Sequence, residues 1–287
     1  MELIERKNCP VCSNIKFKIL YSLSYKDKNI LEFLINYYKG KLPTYLIENY
    51  EYQLAECNKC KFIFQKYVPD DEFSSKLYDK IISADDSLKK KLDKKDLNLK
   101  YDNEINLIKK IFRNKKIKVL EFGAGWGFWA SRAIESGLDV DAFEVSDSRI
   151  RYMKEKGITV VKDMEKNKTD YDFIYSDQTI EHINDPHQIF KSFLPNLKQG
   201  GFILLNYPSS FNFRNKLKRN YLPKKDAAHP LEHINLFNRK SVNFFINKYN
   251  LELINFKSKF NPSIRNLLKD IKNFFYFDSV LIKKTNK

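Results

Sequence analysis

From residue 101 onward the chain switches between two hydrophobic periods. "YDNEINLIKKIF" (101–112) places apolar residues at helical spacing, and "KIKVLEFG" (116–123) is a short apolar run that stops at a glycine, as a buried strand does. "FWASRAIESG" (128–137) predicts a helix closed by Gly137. "DVDAFEVS" (139–146) predicts a second strand, "DSRIRYMKEKG" (147–157) a helix opened by Asp147, and "ITVVKD" (158–163) a third strand. "YDFIYSDQ" (171–178) predicts a fourth strand, a helix follows near "DPHQIFKSFLPNLKQGG" (185–201), and "GFILLNYP" (201–208) predicts a fifth. The tail, "KSVNFFINKYN", "LELINFKSKF" and "FFYFDSVLIKK", predicts a helix and two strands. Strands alternating with helices imply an α/β fold, a parallel sheet with helices on both faces.

The first hundred residues follow no such alternation. Cys9, Cys12, Cys57 and Cys60, the chain's four cysteines, form two C-x-x-C pairs in "NCPVCS" and "AECNKCK". Four thiolates are the set that a closed, tetrahedral structural zinc site uses, and four protein ligands leave no open position for catalysis. The segment between the pairs, "NILEFLINYYKGKLPTYLIENYEYQLAEC", is apolar and aromatic and predicts a helical insertion. Residues 69–100 are dense in charge and predict a solvent-facing helix, a linker or a lid. The expected organisation is a zinc-binding module at 1–68, a charged linker or lid at 69–100 and an α/β domain at 101–287.

At 287 residues, 43% hydrophobic and 15% aromatic, the chain can bury a sizeable core. It has no run of 18 apolar residues, and "MELIERKNCPVC" has no apolar signal region, so no membrane span and a cytoplasmic location are expected. The net charge of +16 is spread along a chain rich in Lys, Asn and Ile, which fits composition as well as an anionic partner.

The first strand runs into "VLEFGAGWGFWA" (119–130). A dinucleotide turn reads G-x-G-x-x-G; this one reads G-x-G-x-G with Trp126 inside it. The stretch resembles the first motif of class I S-adenosylmethionine-dependent methyltransferases, E-x-G-x-G-x-G, and three further stretches match in order: "DVDAFEVS", "VVKDME" and "DFIYSDQTIEHINDPHQIFKSFLPNLKQGGFILLNYP". The resemblance covers about residues 100–283. It implies a Rossmann-like sheet, mostly parallel with the last strand antiparallel. It also implies S-adenosylmethionine held by Glu121, Gly123, Ala124, Gly125 and Trp126, by Glu144 with Val145 at the ribose, by Asp163 with Met164 at adenine, and by Ser176, Asp177 and Gln178 after the fourth strand. The donor carries an amino-acid end and a sulfonium but no diphosphate, so a third phosphate-facing glycine is unnecessary and carboxylates are apt.

Methyl transfer to an alcohol calls for alignment and often for a general base. The four histidines are His182, His187, His229 and His233. His182 follows strand four, where the family's geometry puts a residue over the methyl group. His187 starts a helix and is expected to face solvent or cap. "HPLEHINLFN" follows strand five and resembles the E-H-x-x-x-F stretch of methyltransferases active on sugars and small metabolites, which makes His233, then His229, the candidate base or acceptor ligand. Arg214, Lys216, Lys218 and Arg219, with Phe211, Phe213 and Tyr221, suit a cap over an anionic acceptor.

The zinc module resembles that of sugar C-methyltransferases, whose extra C-terminal domain this chain lacks. O-methylation of a sugar, nucleotide-linked sugar or surface-polysaccharide (capsule) substituent is therefore the expected reaction, with sugar C-methylation second. An RNA methyltransferase that docks through zinc and positive charge is the other alternative. Against base methylation, the fourth strand is followed by "SDQT" rather than an N-P-P-[YF] tetrapeptide.

Overall fold

The computed structural model of the chain describes residues 1–92, 96–254 and 277–285. The strands in chain order are β1 (Leu3–Glu5), β2 (Phe17–Ser24), β3 (Glu51–Cys57), β4 (Ile63–Gln65), β5 (Tyr67–Pro69), β6 (Lys118–Phe122), β7 (Asp139–Phe143), β8 (Thr159–Val161), β9 (Tyr171–Asp177), β10 (Leu197–Pro208), β11 (Asn235–Leu236), β12 (Leu251–Leu253) and β13 (Phe277–Lys284). The helices are α1 (Lys28–Tyr37), α2 (Asp71–Lys76), α3 (Ala84–Leu92), α4 (Asp96–Ile111), α5 (Phe128–Glu135), α6 (Asp147–Glu155), α7 (Pro186–Phe193), α8 (Phe213–Leu217) and α9 (Arg239–Lys248). Among the described residues no helix is long and apolar enough to cross a membrane.

Two compact units form, and they interleave along the chain rather than dividing it at residues 68 and 100. One is built from Met1–Ala84, Ile180–Gln188 and Pro208–Phe245; the other from Asp85–Thr179, Ile189–Tyr207 and Ile246–Lys287.

The second unit holds a seven-stranded sheet in the order β12-β13-β10-β9-β6-β7-β8. The pairs β10–β9, β9–β6, β6–β7 and β7–β8 are parallel, and β12–β13 is antiparallel. The mostly parallel sheet expected from periodicity is therefore present. β6 and β9 lie at its centre and read as near-continuous apolar runs because helices cover both faces. Val119, Leu120, Phe173 and Ile174 are fully buried. Trp129 of α5 stacks on Tyr175 of β9 with ring centroids 4.0 Å apart, and α4 adds Tyr101, Ile105 and Ile108 to the same core. β12 ends at Leu253, so "NFKSKF" of the predicted strand lies outside the described residues or its edge, as does the start of "FFYFDSVLIKK".

The first unit is organised on a four-stranded sheet in the order β11-β4-β3-β2, all three pairings antiparallel. The segment between the cysteine pairs holds α1, as expected, but returns as β3, which the aromatic-rich composition of residues 50–57 favours. The stretch 69–92 is helical. Asp70 caps α2 by accepting from Phe73 N–H at 2.6 Å, and Phe73, Leu77 and Ile81 join the core of this unit.

Candidate functional site

The glycine turn after β6 is shaped by close approach. Gly123 has φ +76, and a Cβ there would stand 2.3 Å from Thr179 Oγ1; Gly127, with φ +68, would put one 2.7 Å from Met153 Cγ. Both positions therefore exclude a side chain on conformation and on space. The N–H groups of Gly123 and Ala124 donate to Phe143 O at 2.9 and 3.0 Å, which ties the turn to the end of β7.

Glu144, one residue past β7, fastens the turn from the other side. Its Oε2 accepts from Gly125 N–H at 2.7 Å, and its Oε1 accepts from Val145 and Ser146 N–H at 2.8 and 3.0 Å. Arg149 Nη1 lies 3.7 Å away. The carboxylate predicted for a ribose thus also pins the loop that would carry the donor. Val145 beside it is 79% exposed, an apolar side chain open to a flat ligand at the strand end.

Glu121 at the end of β6 is buried and accepts from Ala130 N–H at 3.0 Å. Burial pushes its carboxyl up to about 8. Trp126 neither faces solvent nor stands alone: its Nε1 donates to Ser87 Oγ of α3 at 3.2 Å, its ring meets Tyr152 of α6 edge-on at 5.3 Å, and the Arg149 guanidinium lies 5.9 Å above it.

At the ends of β9 and β10 the sequence reading missed a buried polar network. Asp177 accepts from Lys100 Nζ at 2.7 Å; Lys100 also lies 3.8 Å from Glu104 Oε1, and both side chains of that helical pair are almost wholly buried. Glu104 accepts from Tyr175 OH and from Asn206 Nδ2, each at 2.8 Å, and Ser279 Oγ donates to Asn206 Oδ1 at 2.6 Å. Burial raises the Glu104 carboxyl to about 7, against the pull of Lys100. The expectation of a wholly solvent-facing charged stretch ending at residue 100 is corrected at this lysine, whose partner lies 77 positions away. Ser176 is buried, and Gln178 adopts φ +54 while its N–H donates to Asn206 O at 2.9 Å.

Asp163 is a turn-forming residue. Its Oδ1 accepts from Glu165 and Lys166 N–H at 2.9 and 3.3 Å, and the Lys166 ammonium holds its carboxyl below the usual range. Met164 is buried beside it.

In the first unit the histidines gather around Glu232. His233 Nδ1 is 2.5 Å from Asp226 O and His182 Nδ1 is 2.9 Å from Glu232 O. A carbonyl only accepts, so both rings carry hydrogen on Nδ1. Burial holds His233 down at about 4, so its ring is neutral at pH 7 and its Nε2 carries a lone pair. Tyr78 OH lies 2.7 Å from His182 Nδ1, Glu181 Oε1 lies 3.7 Å from His182 Nε2, and the rings of His182 and His233 are 5.0 Å apart. Gln65 of β4, fully buried and unremarked in the sequence, clamps this loop: its Nε2 donates to His229 O and His233 O at 2.8 and 3.0 Å, and its Oε1 accepts from Leu231 N–H at 3.2 Å.

His229 and His187 depart from expectation. His229 has no exposed surface; it sits among Phe33, Tyr37 and Tyr38, its Nδ1 3.5 Å from Glu232 Oε1, and burial drives its pKa well below the ordinary value. It forms the wall behind His233 rather than a surface that an acceptor could touch. His187 is buried instead of facing solvent: Nε2 pairs with Val11 O at 2.8 Å and the ring packs on Phe245 at 4.8 Å. The helix cap there is Asp185, whose Oδ1 accepts from His187 N–H.

The predicted cap is part scaffold and part surface. Phe213 and Tyr221 are buried and meet edge-on at 5.4 Å, and Arg214 pairs with the buried Glu56. Phe211 is 80% exposed.

The four cysteines converge. Cys9 Sγ and Cys60 Sγ are 3.5 Å apart, Cys12 Sγ and Cys57 Sγ 3.4 Å, and all four sulfurs lie within 4.8 Å of one another. A tetrahedral zinc with bonds of about 2.3 Å sets sulfurs about 3.8 Å apart, so the donor set fits. The two knuckles repeat one geometry: Ser13 N–H donates to Cys9 O and Lys61 N–H to Cys57 O, at 2.9 and 3.0 Å, with φ +57 and +60.

The profile of the methyltransferase-domain family matches residues 95–255. No curated protein matches the chain. Among solved structures it is similar to the plantazolicin methyltransferase BpumL in complex with a pentazolic desmethylPZN analog and SAH, at 11% identity and a TM-score of 0.53, over 70% of this chain and 90% of that one. The plantazolicin methyltransferase BamL, in complex with a triazolic analog and SAH, follows at 11% identity and a TM-score of 0.50, over 66% and 85%. A methyltransferase from Mesorhizobium loti matches at 14% identity and a TM-score of 0.42, over 58% and 91%. The two plantazolicin methyltransferase likenesses show the fold. The family profile spans more than half of the sequence and includes the glycine turn that Glu144 pins, so the chain belongs to the methyltransferase-domain family and is an S-adenosylmethionine-dependent methyltransferase.

Proposed function

We propose that the enzyme methylates a hydroxyl of a small, sugar-like, anionic acceptor, a nucleotide-linked sugar or a surface-polysaccharide substituent. The observation that carries the donor half is the hydrogen bond from Gly125 N–H to Glu144, which fixes an acidic, glycine-lined floor at the carboxyl ends of β6 and β7. Glu144 would take a ribose hydroxyl on the remaining lone pair of Oε2, and Val145 and Met164 would flank the base. Glu121 and Asp177 supply negative charge for a cationic ligand, and Lys100 holds Asp177 in place.

When bound, the donor supplies a methyl group already activated by its sulfonium. The residues of the glycine turn, with Glu144, would hold that donor, and it would supply its methyl group to an acceptor oxygen. His233 would offer Nε2 as a proton acceptor, since its Nδ1–H is committed to Asp226 O. Tyr78 OH lies 2.7 Å from His182 Nδ1, beside the ring of His233.

A structural zinc on Cys9, Cys12, Cys57 and Cys60 belongs to the same proposal. It would lock β3 to the N-terminal knuckle and leave no position for substrate. The similar plantazolicin methyltransferases are in complex with desmethylPZN analogs and SAH, which supports an acceptor other than RNA.

The test is calorimetric binding of S-adenosylmethionine, followed by transfer of labelled methyl to nucleotide sugars, capsule fragments and RNA. Label on a sugar hydroxyl is expected. Label on carbon, or on RNA alone, would overturn the acceptor assignment, and absence of donor binding would overturn the whole reading.

A further inference from the structure

The segment 209–231 carries six basic residues, Arg214, Lys216, Lys218, Arg219, Lys224 and Lys225, and one acid, Asp226. Two of the cations have internal tasks. Arg214 pairs with buried Glu56 of β3, and Lys216 pairs with Asp226 while its ammonium lies 5.2 and 5.4 Å from the rings of Phe213 and Tyr221. Asp226 is also bound by Tyr221 O–H at 3.2 Å and Ala228 N–H at 2.9 Å, so the one acid of the segment is fully engaged and repels no anion.

Arg219 and Lys224 have no ion pair among the described residues. Both line a cavity of about 650 Å³, together with Lys216, Asn215, Asn220 and Leu222. Cavities of about 300–1,000 Å³ are the usual size for small ligands. The cations stand on a buried base: Tyr221 is buried and its carbonyl accepts from Tyr21 O–H of β2 at 2.9 Å, which ties the basin to the four-stranded sheet.

We infer that this basin binds the diphosphate of a nucleoside diphosphate. The inference rests on the proposed sugar-linked acceptor and names the class of carrier that acceptor would bear. Arg219 offers a planar fork that matches phosphate oxygens two at a time, and Lys224 supplies a point charge from the same wall, while Lys216 offsets the charge of Asp226. Asn215 and Asn220 bring amides that both donate and accept, as hydroxyls of a ribose require. Leu222, 51% exposed, gives an apolar face for a base or sugar ring. An open basin with these groups suits a compact dianion. Extended RNA would instead ask for a continuous basic track.

The experiment titrates the full-length protein with UDP, dTDP, GDP and CDP, with the matching nucleosides and with inorganic diphosphate, and in parallel with S-adenosylmethionine. At least one nucleoside diphosphate is expected to bind tenfold or more tightly than its nucleoside and more tightly than inorganic diphosphate. The exposed double variant Arg219→Gln/Lys224→Gln is expected to lose at least tenfold of that affinity while binding S-adenosylmethionine within twofold of wild type. Equal binding of nucleoside and diphosphate, or an unchanged affinity in the variant, would overturn the inference. So would a single-stranded RNA that binds with a steep salt dependence while no nucleoside diphosphate binds. Failure of S-adenosylmethionine to bind overturns the donor reading and is scored separately from the diphosphate arm.

Discussion

Glu144 Oε2 accepts from the backbone N–H of Gly125 at 2.7 Å, across the gap between the end of β7 and the turn after β6. A charge-assisted bond of this kind is worth about 1.5–3 kcal/mol. Glu144→Gln keeps the shape and removes the charge. Its affinity for S-adenosylmethionine is expected to fall by about 10- to 150-fold, from that bond energy and the loss of a ribose acceptor. Calorimetry checks this; an affinity within threefold of wild type would remove Glu144 from the donor site.

Glu121 gives the donor site a pH signature. Its carboxyl is raised to about 8 by burial, so it is mostly protonated at pH 7 before a ligand arrives. A cationic donor favours the ionised form, so binding releases protons, and affinity rises with pH until it levels above about 8. Calorimetry at pH 7 in two buffers of different ionisation heat should read up to one proton released. Glu121→Gln should flatten the dependence, and equal heats in both buffers would contradict the assignment.

Lys100 lies between Asp177 and Glu104 with almost no exposed surface. Removing one partner of a buried ion pair costs about 3–5 kcal/mol because the other charge is left behind. Lys100→Met is therefore expected to lower the unfolding free energy by about that amount, seen as an early denaturation midpoint in urea. A midpoint equal to wild type would show that the network is hydrated.

His233 and His229 separate kinetics from stability. Loss of a general base costs about 10²–10⁴ in rate. His233→Gln should show that loss with unchanged donor affinity, and its acid limb in wild type should fall near pH 4 rather than 6.5. His229→Gln should act on thermal stability more than on turnover. The linkage sign follows from the depressed values: unfolding makes both rings basic again, so the stability they contribute is complete above pH 6.5 and is lost as pH falls toward 4.

The four sulfurs should carry one zinc per chain, measured by atomic emission after purification without added metal. Cys57→Ser should lose the metal and the melting cooperativity of the first unit together. Full metal content in that variant would leave the tetrathiolate reading without support.

Most of the second unit was legible because its cause is local. β6, α5, β7, α6 and β9 announce themselves by period and by Gly137 and Asp147, and the glycine turn by glycines at alternate positions, 123, 125 and 127. What was hidden depends on partners far away in sequence. His187 looks like an exposed helix start until Val11 O is seen beside it, 176 positions back. Lys100 looks like one more solvated lysine until Asp177 is folded against it, and Gln65 carries no local sign that it clamps the histidine loop. Asp163 and Glu144 were legible as acids at strand ends, but not as turn braces, since a backbone N–H leaves no trace in composition. The interleaving of the two units is hidden for the same reason: residues 180–188 and 208–245 leave the sheet's own sequence order to join the first unit.

Asn206 joins segments that the ribosome makes at very different moments. Its side chain meets Glu104 near the start of the second unit and Ser279 near its close, and its carbonyl receives Gln178 N–H. That hydrogen-bond network is thus incomplete until residue 279 has been made. A nascent chain would carry every donor-binding motif before the network can close, and protease resistance of the second unit in stalled chains of increasing length is expected to rise once residue 279 is included.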